Sequence, residues 1–184
     1  AVRSLSVGYA NVTDEGIKSL KGLDFLAKLR FEECKNIPGR GFENLDRFPK
    51  MESLILWSVP TGDGVASEAA KLKHLKTLFL RRTELTDRGL AAVAGISTLT
   101  QLDISNTQIT DAGLESLKKL RALTRLDLED TTVTDAGLKS LKGLRGLHRL
   151  GLTRTKVTDV GVNEMDFPDL SDLSLRETAV TDAS

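Results

Sequence analysis

Leu123-Thr-Arg-Leu126-Asp-Leu128-Glu-Asp130-Thr131-Thr-Val133-Thr134-Asp135-Ala-Gly137-Leu138-Lys-Ser-Leu141-Lys-Gly-Leu144 decides the fold, because Leu147 restarts the same pattern 24 residues after Leu123. Leu75 and Leu99 open the same register at the same interval. A fixed period of this size is the mark of a solenoid, in which each unit contacts only its neighbours. Units open at Val2, Leu26, Met51, Leu75, Leu99, Leu123, Leu147 and Leu170. The second is one residue longer, near Lys35-Asn36, and the seventh one shorter, around Asp166-Phe167-Pro168. Residues 1–184 therefore read as a single repeat domain of seven full units and a partial eighth, a piece of a longer protein.

Each unit has two halves with different periods. Leu99, Leu102 and Ile104 follow L-x-x-L-x-L, and the last two alternate as a strand requires. Gly113, Leu114, Leu117 and Leu120 follow, with the spacing of one helical face. A strand followed by a short helix is expected in every unit, with strands and helices each stacking in parallel. At the junction, Thr13-Asp14, Thr86-Asp87, Thr110-Asp111, Thr134-Asp135, Thr158-Asp159 and Thr181-Asp182 supply side chains that can accept the first helical amides. A carboxylate there also suits the positive end of the helix dipole. Gly16, Gly89, Gly113, Gly137 and Gly161 suggest tight packing against a neighbouring coil. Thr83, Thr107, Thr131, Thr155 and Thr178 mark the exit from the strand, where a hydroxyl can satisfy a buried backbone group. Ala10 and Val59 fill that column in units one and three, so less regular turns are expected there. Cys34 fills it in unit two and reads as a small buried residue.

The pattern L-x-x-L-x-L-x-x-(T/C)-x-(V/I)-T-D-x-G-L resembles leucine-rich repeat proteins. It is similar to the cysteine-containing repeats found behind F-box domains of ubiquitin ligases, and to Thr-Asp-x-Gly-Leu repeats abundant in bacterial proteins. Thr largely replaces Cys here, which favours the bacterial type. The resemblance implies an α/β horseshoe solenoid with parallel strands on the concave face and short helices on the convex face. It implies a protein-interaction module.

Composition fits that class. The chain carries 26 basic and 26 acidic residues, so nothing in the net charge draws it to nucleic acid or an anionic membrane. No apolar run approaches a membrane span. The compartment is not legible. One cysteine excludes an internal disulfide framework. His74 and His148 lie three units apart, roughly 14 Å at 4.8 Å per strand, too far to share a metal or a triad. No catalytic residue, metal site or cofactor is expected.

The binding face is read from positions where the repeat demands nothing. Ile55, Trp57 and Phe79 are apolar at positions that should be wet, and the chain has a single Trp and a single Tyr. Tyr9 lies on a neighbouring exposed column, and Arg30, Arg81 and Arg82 border the cluster. These residue types are enriched at binding hot spots. Asp103, Asp127, Glu129 and Asp130 form an acidic strip beside it. The expected role is binding a partner protein or peptide on the concave face. The competing local reading has Trp57 plugging the irregular turn through Pro60 and Gly62, with Phe79 leaning on it. At the level of function the alternatives are a structural segment that self-associates through uncapped ends, or the recognition part of a ligase-like adaptor.

Overall fold

The structure is a computed structural model and describes residues 1–182. Eight parallel strands form one open sheet in chain order: β1 (Ser4–Gly8), β2 (Lys28–Glu32), β3 (Ser53–Trp57), β4 (Thr77–Arg81), β5 (Gln101–Asp103), β6 (Arg125–Asp127), β7 (Arg149–Gly151) and β8 (Asp172–Ser174). Among the described residues six short α-helices lie behind it: α1 (Asp14–Lys18), α2 (Gly64–Ala69), α3 (Asp87–Val93), α4 (Asp111–Leu114), α5 (Asp135–Ser140) and α6 (Asp159–Asn163). The core between the layers is the set of repeat leucines. Leu54, Leu56, Leu78, Leu80, Leu102, Leu126 and Leu150 from the strands, with Leu90, Leu114 and Leu138 from the helices, are all buried. Each such side chain contributes about 1.5–3 kcal/mol on leaving water. Stacking therefore makes up for the small size of any one unit.

Two sequence expectations need correction. A helix does not follow every strand: the second unit has two 3₁₀ turns, Arg40–Phe42 and Leu45–Arg47. That unit lacks Thr-Asp, and left-handed Gly39 and Asn44 precede the turns without a side-chain cap. Phe31 and Phe42 pack edge to face inside it, with ring centroids 5.7 Å apart. Secondly, the Asp of each Thr-Asp does not cap its own helix. Thr86, Thr110, Thr134 and Thr158 do that, each accepting an amide two residues on. The carboxylate reaches instead into the following unit. Asp87 accepts both the Thr110 amide, at 2.9 Å, and the Thr110 hydroxyl, at 2.6 Å. Asp63, Asp111, Asp135 and Asp159 hold Thr86, Thr134, Thr158 and Thr181 in the same way. Gly89, Gly113, Gly137 and Gly161 leave the space that each carboxylate occupies, since a Cβ at any of them would overlap it.

The threonine exit column behaves as the residue type requires. Thr83, Thr107, Thr131, Thr155 and Thr178 each donate a hydroxyl to the carbonyl three residues back. Cys34 is fully buried in that column, with Sγ 3.4 Å from the Glu32 carbonyl. The position after each strand is unexpected. Tyr9, Glu33, Ser58, Arg82, Asn106, Asp130, Arg154 and Glu177 all have φ between 51° and 55°, left-handed and without a glycine among them. The amides of the first seven continue the ladder, as Ser58 N–H does to the Arg81 carbonyl at 3.0 Å. Those bonds offset a conformational cost of about 1–2 kcal/mol per residue. Ser184, the end of the partial unit, lies outside the described residues.

Candidate functional site

The sheet register brings the expected site residues together by row. Arg30, Ile55, Phe79, Asp103 and Asp127 are successive partners across β2 to β6. Glu32, Trp57 and Arg81 form the row beside it. Alternation along a strand sends both rows to the face away from the core. Ile55, Trp57 and Phe79 are half-buried there. With Arg30, Leu56, Arg81 and Asp103 they line a shallow cavity of about 130 Å³. The indole Nε1 of Trp57 and the Nε of Arg81 are both buried without a hydrogen-bond partner.

Trp57 and Phe79 do not stack on each other. Among the described residues the aromatic ring pair is Phe31–Phe42. The Phe79 ring instead carries the Arg125 guanidinium, 5.3 Å from its centroid. Tyr9 and Arg82 stand apart from the cavity. Tyr9 is 79% exposed beyond the end of β1. Arg82 lines a separate, wider depression of about 580 Å³ with Glu33, Lys35, Ser58, Pro60, Glu84 and Asn106.

The acidic strip is not an open solvated face. Asp103 and Asp127 are buried in the floor of the sheet, contrary to their reading as exposed. Asp103 accepts the Ser105 amide at 2.9 Å. This local bond replaces a ladder bond and accompanies the end of β5 after three residues. Burial pushes the Asp103 carboxyl above its usual value, and the neighbouring Asp127 adds to this, while Ser105 and Arg81 oppose it. Asp127 is bonded by Arg125 Nε at 2.6 Å and approached by Arg149 Nε at 3.5 Å. Gly151 opposite gives its carboxylate room. Glu129 lies 3.5 Å from Arg81 Nη1. Asp130 is held below the usual carboxylate range, first by its hydrogen bonds from Arg154. Sequence reasoning missed these arginine partners because Arg125 and Arg149 sit in a column one row over. Their spacing of two residues from Asp127 and Gly151 was the available signal.

Among the described residues, no group of three His, Cys, Asp or Glu side chains is placed to hold a metal. Among them, too, no helix is long and apolar enough to cross a membrane.

The comparisons agree with this architecture. A leucine-rich repeat family model matches residues 2–21, 71–94, 95–118 and 119–142, together half of the chain. The chain belongs to the leucine-rich repeat family. Its fold is similar to that of internalin C2 from Listeria monocytogenes, with a TM-score of 0.72, 26% identity, and coverage of 99% of this chain and 74% of that one. Internalin F from the same organism aligns with a TM-score of 0.66 and 21% identity over 97% of this chain and 56% of its own. A plant ice-binding protein shares the fold at a TM-score of 0.63 and 17% identity, covering 97% of this chain and 58% of that one. No curated protein matches the sequence.

Proposed function

We propose that this domain is a non-enzymatic protein-interaction module of the bacterial Thr-Asp-x-Gly-Leu type, and that its strand-lined face binds a partner protein or peptide. Leucine-rich repeats generally serve protein–protein interaction, and the internalin-like fold fits that role. The observation that carries the site is the cluster of Ile55, Trp57 and Phe79 around one cavity, flanked by Arg30 and Arg81. Apolar side chains presented together on a sheet face otherwise lined by polar residues mark an interaction surface. A Trp with arginines beside it is the composition of a hot spot. Asp103, Asp127 and Glu129 serve this site through the arginines near them, and Tyr9 and Arg82 belong to its margin.

Trp57→Ala combined with Phe79→Asp is expected to abolish capture of a partner from a lysate of the source organism. The variant should still melt cooperatively. Unchanged capture by the double variant moves the site off these strands. A second reading, self-association, draws on Val2 and Leu173, which are exposed on the outermost strands' side of the solenoid. Light scattering across a concentration series separates the two, since only self-association raises the mass.

A further inference from the structure

Three ion pairs on the sheet face over β2 to β6 are layered, with the anion beneath and the cation above, whereas at β7 and β8 Asp172 is more exposed than its partner Arg149. The Arg30 side chain is 36% exposed and its partner Glu32 17%. Arg81 is 35% exposed over Glu129 at 20%, and Arg125 is 35% exposed over Asp127 at 3%. Equal numbers of charges in the sequence therefore do not give an evenly neutral surface: a visitor to the face over β2 to β6 meets guanidinium groups first. Each guanidinium has five N–H donors and spends one or two on the acid below it. The acids hold the heads in place, so little freedom remains to be lost on binding.

Two of the side chains that line the cavity also keep a buried donor each. Trp57 and Arg81 are register partners on adjacent strands, roughly 4.8 Å apart. Both carry an N–H with no acceptor. The cavity of about 130 Å³ corresponds to roughly four waters' share of liquid and falls below the roughly 300–1,000 Å³ of small-molecule sites. It suits one apolar side chain.

We propose that the partner bound at this face is an acidic protein segment, which seats one apolar side chain between Ile55, Trp57 and Phe79 and sets flanking carboxylates against Arg30 and Arg81. This rests on the site assignment made above. Carboxylates are acceptors only, and they match the guanidinium fork in bidentate geometry. A nucleic-acid backbone is a poorer match. The chain's zero net charge offers a polyanion no long-range attraction.

The test is selection of random peptides of roughly ten residues on the intact chain, followed by anisotropy titration of the labelled winners. The expected winners carry Asp or Glu next to a Leu, Phe or Trp and perturb the emission of Trp57, the sole tryptophan. Their affinity falls at least about tenfold with Arg30→Gln/Arg81→Gln. It also falls several-fold between about 50 and about 500 mM salt. Melting curves for the variant verify that it is folded. Neutral or basic winners that are lost with Trp57→Ala/Phe79→Asp would overturn the acidic class and leave the site standing. Winners indifferent to both variants, or no enrichment at all, would overturn the acidic class and the site assignment together. Displacement of the winners by oligothymidylate at matched charge would overturn the protein class in favour of a polyanion. A dimer abolished by Arg81→Gln would give the face to a second copy of the chain.

Discussion

Asp87→Ala strips the Thr110 amide and hydroxyl of their common acceptor, and the loss falls in the unit after the mutated one. The expected cost is about 1–2 kcal/mol, the worth of charge-assisted bonds near the surface. Gly113→Ala attacks the same contact from the other side, because its Cβ would meet the Asp87 carboxyl group. Overpacking of this kind costs about 1–3 kcal/mol. Once Asp87 is Ala, the new methyl has room. The two changes together should therefore cost less than their sum by at least about 0.5 kcal/mol in urea titrations. Additive costs would show that carboxylate and glycine do not share one space. At Ser58 the direction reverses. Its φ of 53° is left-handed, and no side-chain hydrogen bond holds it there among the described residues. Ser58→Gly relieves that strain and is expected to stabilise the fold by about 0.5–1 kcal/mol after the added freedom of the unfolded chain is counted. A lowered melting temperature would contradict this.

Among the elements, β5 is the one whose stability should depend on pH in an unusual direction. Burial lifts the Asp103 carboxyl above its ordinary 3.8. Between that value and the raised one, the native protein keeps a proton that the unfolded chain has released. Stability contributed at this site therefore falls as pH rises through the window, and the penalty is complete above it. Asp103→Asn retains an oxygen for the Ser105 amide and removes the charge. The variant should melt higher than the parent at neutral pH, with the gap closing as pH is brought below 3.8. A gap independent of pH would place the titrating group elsewhere. The strands and their leucines were legible because the repeat states each inward position several times over. The threonine exit column was legible for the same reason. Asp103 and Asp127 misled because outward on a strand was equated with wet, whereas Arg125 and Arg149 cover the floor between rows. The left-handed column was hidden because Tyr9, Glu33, Ser58 and Arg82 carry no preference for that conformation. Asp63 escaped notice since Gly62 stands where the other units have Thr, yet its carboxylate holds Thr86 like the rest. The apolar patch was legible as an anomaly in composition, but its ordering into acids below and guanidiniums above needed coordinates.

For the molecule as a whole, stability is a chain of nearest-neighbour terms. β1 and β8 each pair on one side only, while β2 to β7 pair on both. Opening is therefore cheapest at the two outer strands and dearest near β4 and β5. Amide hydrogen exchange should show protection rising inward from both outer strands, with the Leu102 amide among the slowest. Uniform protection along the sheet would indicate all-or-none opening instead.

The carboxylate that a unit extends to the next makes the fourth to seventh units both plug and socket, with the third a plug and the eighth a socket. Asp63, Asp87, Asp111, Asp135 and Asp159 are the plugs; Thr86, Thr110, Thr134, Thr158 and Thr181 the sockets. A copy of such a unit inserted between any two others finds both fittings already in place, so the array can lengthen by tandem duplication without waiting for a compensating mutation. The second unit breaks the series: it receives Asp14 only at the Gly39 amide, at 3.3 Å, and among the described residues it extends no such carboxylate to the third. Growth by duplication is thus open on one side of it and obstructed at it, and strands β2 to β4, which carry the proposed binding site, sit at that fixed boundary while the uniform units beyond are free to multiply.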